Sequence, residues 1–140
     1  MKVERVLDEK GMEAVFQIRE AVFVLEQGVD KEEEFDEYEN NSQHVLLYQG
    51  ELPIATGRVR IVHDIAKLER ICVLAAFRKA GIGKIIMEEL EAIAKSEGVN
   101  QAKLHAQTQA QGFYEKMGYH KASEEFMEAG IAHLLMVKEL

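Results

Sequence analysis

The 140-residue sequence contains one cysteine, one proline and no tryptophan. A lone thiol, Cys72, excludes an intramolecular disulfide and any metal cage built from several thiolates. With Pro53 alone there is no proline-rich linker, and no internal repeat or low-complexity tract divides the chain. No apolar stretch approaches the ~20 residues that cross a bilayer, and no basic segment followed by an apolar run opens the chain, so a cytoplasmic location without a membrane partner is expected. Basic charge is scarce as well. Lys and Arg number 17 against 25 Asp and Glu, a net charge of −8, which argues against nucleic acid or an anionic lipid surface as the main partner.

What the chain does have is material for a core. Apolar residues make up 47% of it, enough at this length for one domain over residues 1–140. Alternation and β-branched residues predict strands at 2–7, 44–48, 52–62, 65–74, 102–106, 119–127 and 131–138. Helical spacing predicts a helix at 12–26, where Val15, Ile18, Val22 and Leu25 recur before Gly28, another at 81–97 and a short one at 109–117. A helix between strands 65–74 and 102–106 demands a right-handed crossover and so a parallel pair. The expected class is α+β: a three-layer α/β/α sandwich around a mixed, mostly antiparallel sheet of six or seven strands.

The acidic connection 29–42 reads as a solvated loop or short helix; its functional alternative is a mobile lid whose carboxylates attract an amine. In the strand 52–62, Arg58 and Arg60 share the face opposite Gly57, Val59 and Ile61, either paired with Glu69 or presented to a substrate carboxylate. Strict alternation would send Glu69 and Arg70 to opposite faces. His44, His105, His120 and His133 lack metal-ligand spacing, so no metal is expected.

The most informative stretch is Arg78-Lys79-Ala80-Gly81-Ile82-Gly83-Lys84, between a strand and a long helix. Glycines let a ligand approach the backbone N–H groups that the first helical turn leaves unpaired, and the aligned peptide dipoles with three basic side chains favour a phosphate or pyrophosphate. Two glycines at this spacing occur by chance about 0.7 times in such a chain at ~7% glycine. Adding Arg or Gln three residues ahead lowers that to roughly 0.06. Neither of the commoner phosphate loops, G-x-x-x-x-G-K-[ST] and G-x-G-x-x-G, is matched.

Arg/Gln-x-x-Gly-x-Gly after a strand resembles motif A of the GNAT superfamily of N-acetyltransferases. Ala110-Gln111-Gly112-Phe113-Tyr114-Glu115-Lys116-Met117-Gly118-Tyr119 resembles motif B of the same family. Phe23-Val24-Leu25-Glu26-Gln27, Leu104-His105-Ala106-Gln107 and Gly130-Ile131-Ala132-His133 are similar to the ElaA-like branch. The resemblance implies that the parallel pair flanks a cofactor site and that acetyl-CoA is the co-substrate. Its acetyl group would pass to a primary amine of a small molecule or peptide by direct attack in a ternary complex.

On that resemblance Arg78, Lys79, Ala80, Gly81, Ile82, Gly83 and Lys84 would hold the pyrophosphate, and Ile71, Cys72 and Val73 would pair with the pantetheine arm. Gln107, where many family members have Asn, would meet the cofactor together with Ala110 and Phe113. Tyr114 would be the acid towards the departing thiolate. The attacking nitrogen must shed a proton first, since an alkyl amine titrates near ~10.4. A base, or a water chain leading to one, is needed: Glu69 is the first candidate, with pairing to Arg58 or Arg60 as its competing role; Glu26 and His133 follow, and for His133 a hydrogen-bonded core imidazole is the default. Cys72 reads as a buried thiol rather than a nucleophile. The alternative function is a non-catalytic acyl-CoA-binding sensor or scaffold. A fainter similarity, of Arg19, Phe23, Glu34 and Asp36 to acyl-homoserine-lactone synthases, is outweighed by motif A. A homodimer through exposed sheet edges is expected.

Overall fold

The computed structural model describes residues 1–78 and 80–140. A short strand, β1 (Lys2–Arg5), opens the chain. Asp8 then starts the first helix, its carboxylate accepting the Gly11 N–H at 2.8 Å and so satisfying a donor that a helix start leaves bare. α1 spans Glu9–Arg19 and widens into a π-helix over Glu20–Glu26, rather than remaining one α-helix over 12–26. Gly28, at φ +75°, ends it as expected. A single turn, α2 (Lys31–Glu34), lies in the acidic connection.

Strands β2 (Gln43–Gln49), β3 (Leu52–Val62) and β4 (Ile65–Val73) form an antiparallel meander. His63 and Asp64 both have positive φ, the mark of the two-residue turn whose twist suits a hairpin. The crossover helix α3 (Ile82–Ser96) leads to β5 (Gln101–Gln107), followed by α4 (Gln111–Lys116), β6 (His120–Lys121), β7 (Phe126–Glu128) and β8 (Ile131–Glu139). The sheet order is β1-β2-β3-β4-β5-β8-β6, with β7 also on β8. Only the β4/β5 contact is parallel among the described strands. There are eight strands instead of six or seven because the expected strand 119–127 breaks in two. At the break the Ser123 hydroxyl accepts the Leu135 N–H at 2.9 Å in place of a ladder carbonyl.

Helices cover both faces. Val45 and Leu47 of β2 turn towards α3, where Ile82, Ile86, Leu90 and Ile93 complete the larger core, while Leu46 between them turns to Val15, Ile18 and Val22. This is the period-2 pattern of a strand buried on both sides. Gly57 sets the spacing, because a Cβ there would lie 2.8 Å from Ile86 Cγ2 and 3.0 Å from Leu90 Cδ1.

β3 and β4 do not stay in simple register. Arg58 faces Glu69 but Thr56 faces Cys72, so Arg70 and Ile71 together oppose Gly57 in a β-bulge, with Arg70 at φ 58°. The bulge overturns the expectation that Glu69 and Arg70 point apart: both side chains reach ion pairs that share Arg58 and Asp36.

Candidate functional site

The parallel pair is barely a pair. β4 and β5 are in register only at Ala66/Ala102 and Lys67/Lys103, and then diverge. Past that point β4 is bonded by β3 on one side, while its other edge faces a cavity of about 620 Å³. The walls come from the π-helix (Val22, Phe23, Gln27), the acidic connection (Glu34, Asp36, Tyr38), β4 (Lys67 to Cys72), the end of β5, α4 (Tyr114) and the last hairpin (Glu128, Ile131, His133). A cleft outside the carboxyl ends of two splayed parallel strands is where open sheets of this kind hold ligands.

The glycine turn follows β4 after a single 3₁₀ turn, Ala75–Phe77. Gly81, at φ +74°, is the N-cap of α3 and supplies no side-chain cap, so the first-turn N–H groups of this 15-residue helix keep no side-chain partner. Ile82 is buried and Lys84 is exposed. Gly83 lies under a ring: a Cβ there would sit 3.2 Å from Phe113 Cζ. Ala80 is exposed at the turn, and Lys79 lies outside the described residues. Arg78 makes two bonds to Glu26, Nη1–Oε2 at 2.6 Å and Nη2–Oε1 at 2.7 Å, and donates from Nε to the Val73 carbonyl at 2.9 Å. The bonds from Arg78 hold the Glu26 carboxyl below the usual range. The expected pyrophosphate arginine is thus already clasped to an anion at the end of β4.

Ile71 and Cys72 line the cavity, with Val73 adjoining. Cys72 is 6% exposed among Val15, Ile18, Val22 and Leu46, and burial pushes its thiol far up, so it is a packed thiol and not a thiolate. Gln107 accepts from Gln109 at 2.6 Å and donates to Gln27 at 2.9 Å; Ala110 lines the cavity beside it. Phe113 packs edge-on against Tyr114, with ring centres 5.0 Å apart. Tyr114 itself is 8% exposed, and burial lifts its phenol to about 12, so its hydroxyl keeps its proton in the cavity wall.

Glu69 is surrounded by cations. Its carboxylate meets Arg58 at 3.0 Å, Arg60 at 2.8 Å and Lys67 at 3.3 Å. Burial alone would raise its titration, but the Arg60 hydrogen bond and the charges of Arg58 and Lys67 outweigh it and bring the group down to about 2. These surroundings hold Glu69 as an anion, with its close hydrogen bonds gathered on Oε1, which opposes the expected role of proton acceptor.

The acidic connection holds the short helix α2 and is solvated only in part: Asp30, Glu32, Glu33 and Glu37 are exposed, while Glu34, Asp36 and Glu39 turn inward. Arg19, fully buried, bonds Glu34 at 2.9 Å and both oxygens of Glu39 at 2.8 Å. Arg58, also fully buried, bonds both oxygens of Asp36 at 2.8 and 2.7 Å. Arg70 holds Asp36 at 3.0 Å, and Arg60 stacks 3.8 Å over the Tyr38 ring. Arg58 is therefore consumed inside the protein rather than presented to a substrate. Gln27, Tyr38, Lys67, Glu128 and His105 line the cavity, although the sequence reading gave none of them a functional role. Gln27 and His105 stood in the segments of family similarity, and Lys67 left a local trace, two residues before Glu69 on the same strand face. Among the described residues no group of three His, Cys, Asp or Glu side chains is placed to hold a metal ion.

Comparison with known proteins agrees with this geometry. Residues 6–140 match the family model described as an acetyltransferase (GNAT) domain. A Bacillus subtilis (strain 168) protein named as an acetyltransferase is 51% identical over 142 residues, covering 99% of this chain and 97% of that one. Among solved structures, a Lactobacillus plantarum protein named as an N-acetyltransferase aligns with a TM-score of 0.92 at 30% identity over 99% of this chain and 97% of its own. Escherichia coli ElaA aligns at 0.88 and 24% identity over 99% of both chains. The PaiA N-acetyltransferase of Thermoplasma acidophilum, solved in complex with coenzyme A, aligns at 0.75 and 20% identity over the full length of both. The chain belongs to the GNAT family of acetyltransferases.

Proposed function

We propose that this protein transfers the acetyl group of acetyl-CoA to a primary amine of a small molecule or peptide, by direct attack in a ternary complex. The observation that carries the reading is the splay of β4 and β5: one cavity is bounded by a free strand edge at Ile71 and Cys72, by the phenol of Tyr114 and by Arg78, which leads from that strand to the glycine turn. Arg78 and the N–H groups after Gly81 would hold the pyrophosphate. An N–H of the β4 edge would polarise the thioester carbonyl, a fixed dipole aimed where negative charge develops. The Tyr114 hydroxyl, kept protonated by burial, would donate to the departing sulfur. The family membership and the coenzyme A bound to PaiA support the choice of co-substrate.

The test is thiol release from acetyl-CoA across polyamines, amino acids, aminoglycosides and peptide N-termini, with calorimetry for CoA binding. The expected result is saturable CoA binding and turnover of at least one amine. Tyr114→Phe should bind CoA within about twofold of the parent and lose 10²-fold or more in kcat, the usual loss on removing a positioned acid. Saturable binding with no turnover of any amine, and no effect of Tyr114→Phe, would instead identify a non-catalytic acyl-CoA sensor.

A further inference from the structure

The proposed reaction leaves the amine's proton without a destination, because Glu69 is saturated by cations and Glu26 is clasped by Arg78. Two imidazoles line the cavity, His105 and His133, and the more deeply buried of them, His133, has the required lone pair. His133 lies on β8 opposite Gln107 of β5 and Phe126 of β7, and is 7% exposed. Its Nδ1 lies 2.7 Å from the Ile131 carbonyl oxygen. A carbonyl can only accept, so Nδ1 carries the hydrogen, and in the neutral ring the lone pair stands on Nε2.

Nε2 makes no hydrogen bond among the described residues, yet it is not a sealed orphan, for the one unpartnered buried side-chain atom among them is Nδ1 of His44. It therefore keeps contact with solvent, and the ring that carries it lines the cavity with Tyr114 and Gln107. Glu128 Oε2 stands 3.7 Å away, too far to bond a neutral ring but close enough to attract an imidazolium. That carboxylate is kept ionised by His105, whose Nδ1 meets Oε1 at 3.0 Å and draws its titration down. Phe126 fixes both rings, edge-on to His105 at 5.0 Å and stacked on His133 at 6.1 Å.

We propose that Nε2 of His133 takes the first proton from the acceptor's ammonium group, with Glu128 as the positioning residue that stabilises the imidazolium. The inference rests on the acetyl-transfer reading. The freed nitrogen lone pair forms the new C–N bond, the C–S bond breaks, and the nitrogen's second proton ends on the sulfur of coenzyme A by way of Tyr114. His133 returns its own proton to solvent. Glu128 on the last hairpin is the charged group in contact with His133, and His105 on β5, Lys67 on β4 and Tyr114 on α4 line the same cavity.

The experiment measures kcat and kcat/KM against pH, with CoA affinity by calorimetry, for the parent, His133→Gln and Glu128→Gln. In His133→Gln, kcat at pH 7 should fall 10²-fold or more, CoA affinity should stay within twofold, and the rate should climb tenfold per pH unit towards the titration of the amine itself. In Glu128→Gln the acidic limb of kcat/KM should move to lower pH, because the imidazolium loses its counter-charge; this readout also decides the matter should His133→Gln fail to fold. Parent-like kcat in His133→Gln, or an unmoved acidic limb in Glu128→Gln, overturns the assignment while leaving acetyl transfer intact. A parent that binds no CoA or releases no thiol overturns both.

Discussion

Single side chains carry the chemistry proposed for this fold, and Arg78 shows how a residue that the motif marks can be occupied before any ligand arrives. Its bidentate pair with Glu26 competes with a pyrophosphate for the same guanidinium. Glu26→Gln should therefore tighten CoA by two- to fivefold, the amount an exposed pair contributes, whereas Arg78→Ala should weaken it by more than that. Calorimetry at two salt concentrations checks both; equal affinity in parent and Glu26→Gln would show that the clasp does not compete. Tyr114 and the paired glycines were legible in the sequence because their signals are local, a handful of residues around one turn. The state of Glu69 was not, because its charge depends on Arg58 and Arg60, 11 and nine positions away, and on how deeply all three are buried. The open lone pair of His133 was hidden for a related reason: it is set by a backbone carbonyl and by the hairpin that carries Glu128, not by any neighbour in a motif.

At the level of elements, the acidic connection between the π-helix and β2 is the largest departure from what composition suggests. Seven acidic residues in a short run read as a solvated face, but Glu34, Asp36 and Glu39 turn inward to Arg19, Arg58 and Arg70. Those arginines lie on three other elements, so no local pattern could announce the pairing. The bulge that places Arg70 beside Glu69 was equally invisible: it shifts the alternation by one residue, so that Ala66 and Leu68 before it share a core with Ile71 and Val73 after it, and the apolar Cys72 on the opposite face masks the shift. Helices and most strands were legible from hydrophobic period alone; the broken strand 119–127 was not, because one hydroxyl replaces a ladder carbonyl there. The connection is a tied wall of the cavity and not a free lid. Arg58→Met should strand three half-buried carboxylates and cost about 3–5 kcal/mol, the usual result of removing one partner from a buried ion pair. Urea denaturation measures it, and a loss under about 1 kcal/mol would show that Asp36, Glu39 and Glu69 find water instead.

For the whole molecule, the same network ties stability to pH. Burial pushes the Asp36 carboxyl up, but the hydrogen bonds and charges of Arg58 and its neighbours prevail and bring it from 3.8 to about 2. Glu69 falls from 4.5 to about 2. In both cases the unfolded chain binds the proton more readily, so their stabilisation is complete above about 4.5 and is lost as pH falls towards 2. His44 acts in the same direction at higher pH. It is 4% exposed, its Nε2 lies 2.9 Å from the Glu39 carbonyl oxygen, and its Nδ1 is buried without a partner. Burial, with Arg19 and Arg58 nearby, lowers its titration from 6.5. The unfolded chain therefore takes up this proton below about 6.5 while the folded chain resists it, and stability begins to fall there. A series of urea midpoints from pH 8 to pH 3 should show a plateau above 7, a shallow decline between 6.5 and 5, and a steep one below 4.5. His44→Gln, which keeps a donor for the Glu39 carbonyl, should flatten the shallow part and leave the steep part in place. A midpoint that holds constant or rises between pH 7 and pH 4 would mean that these groups do not gain their stability from the arginines around them.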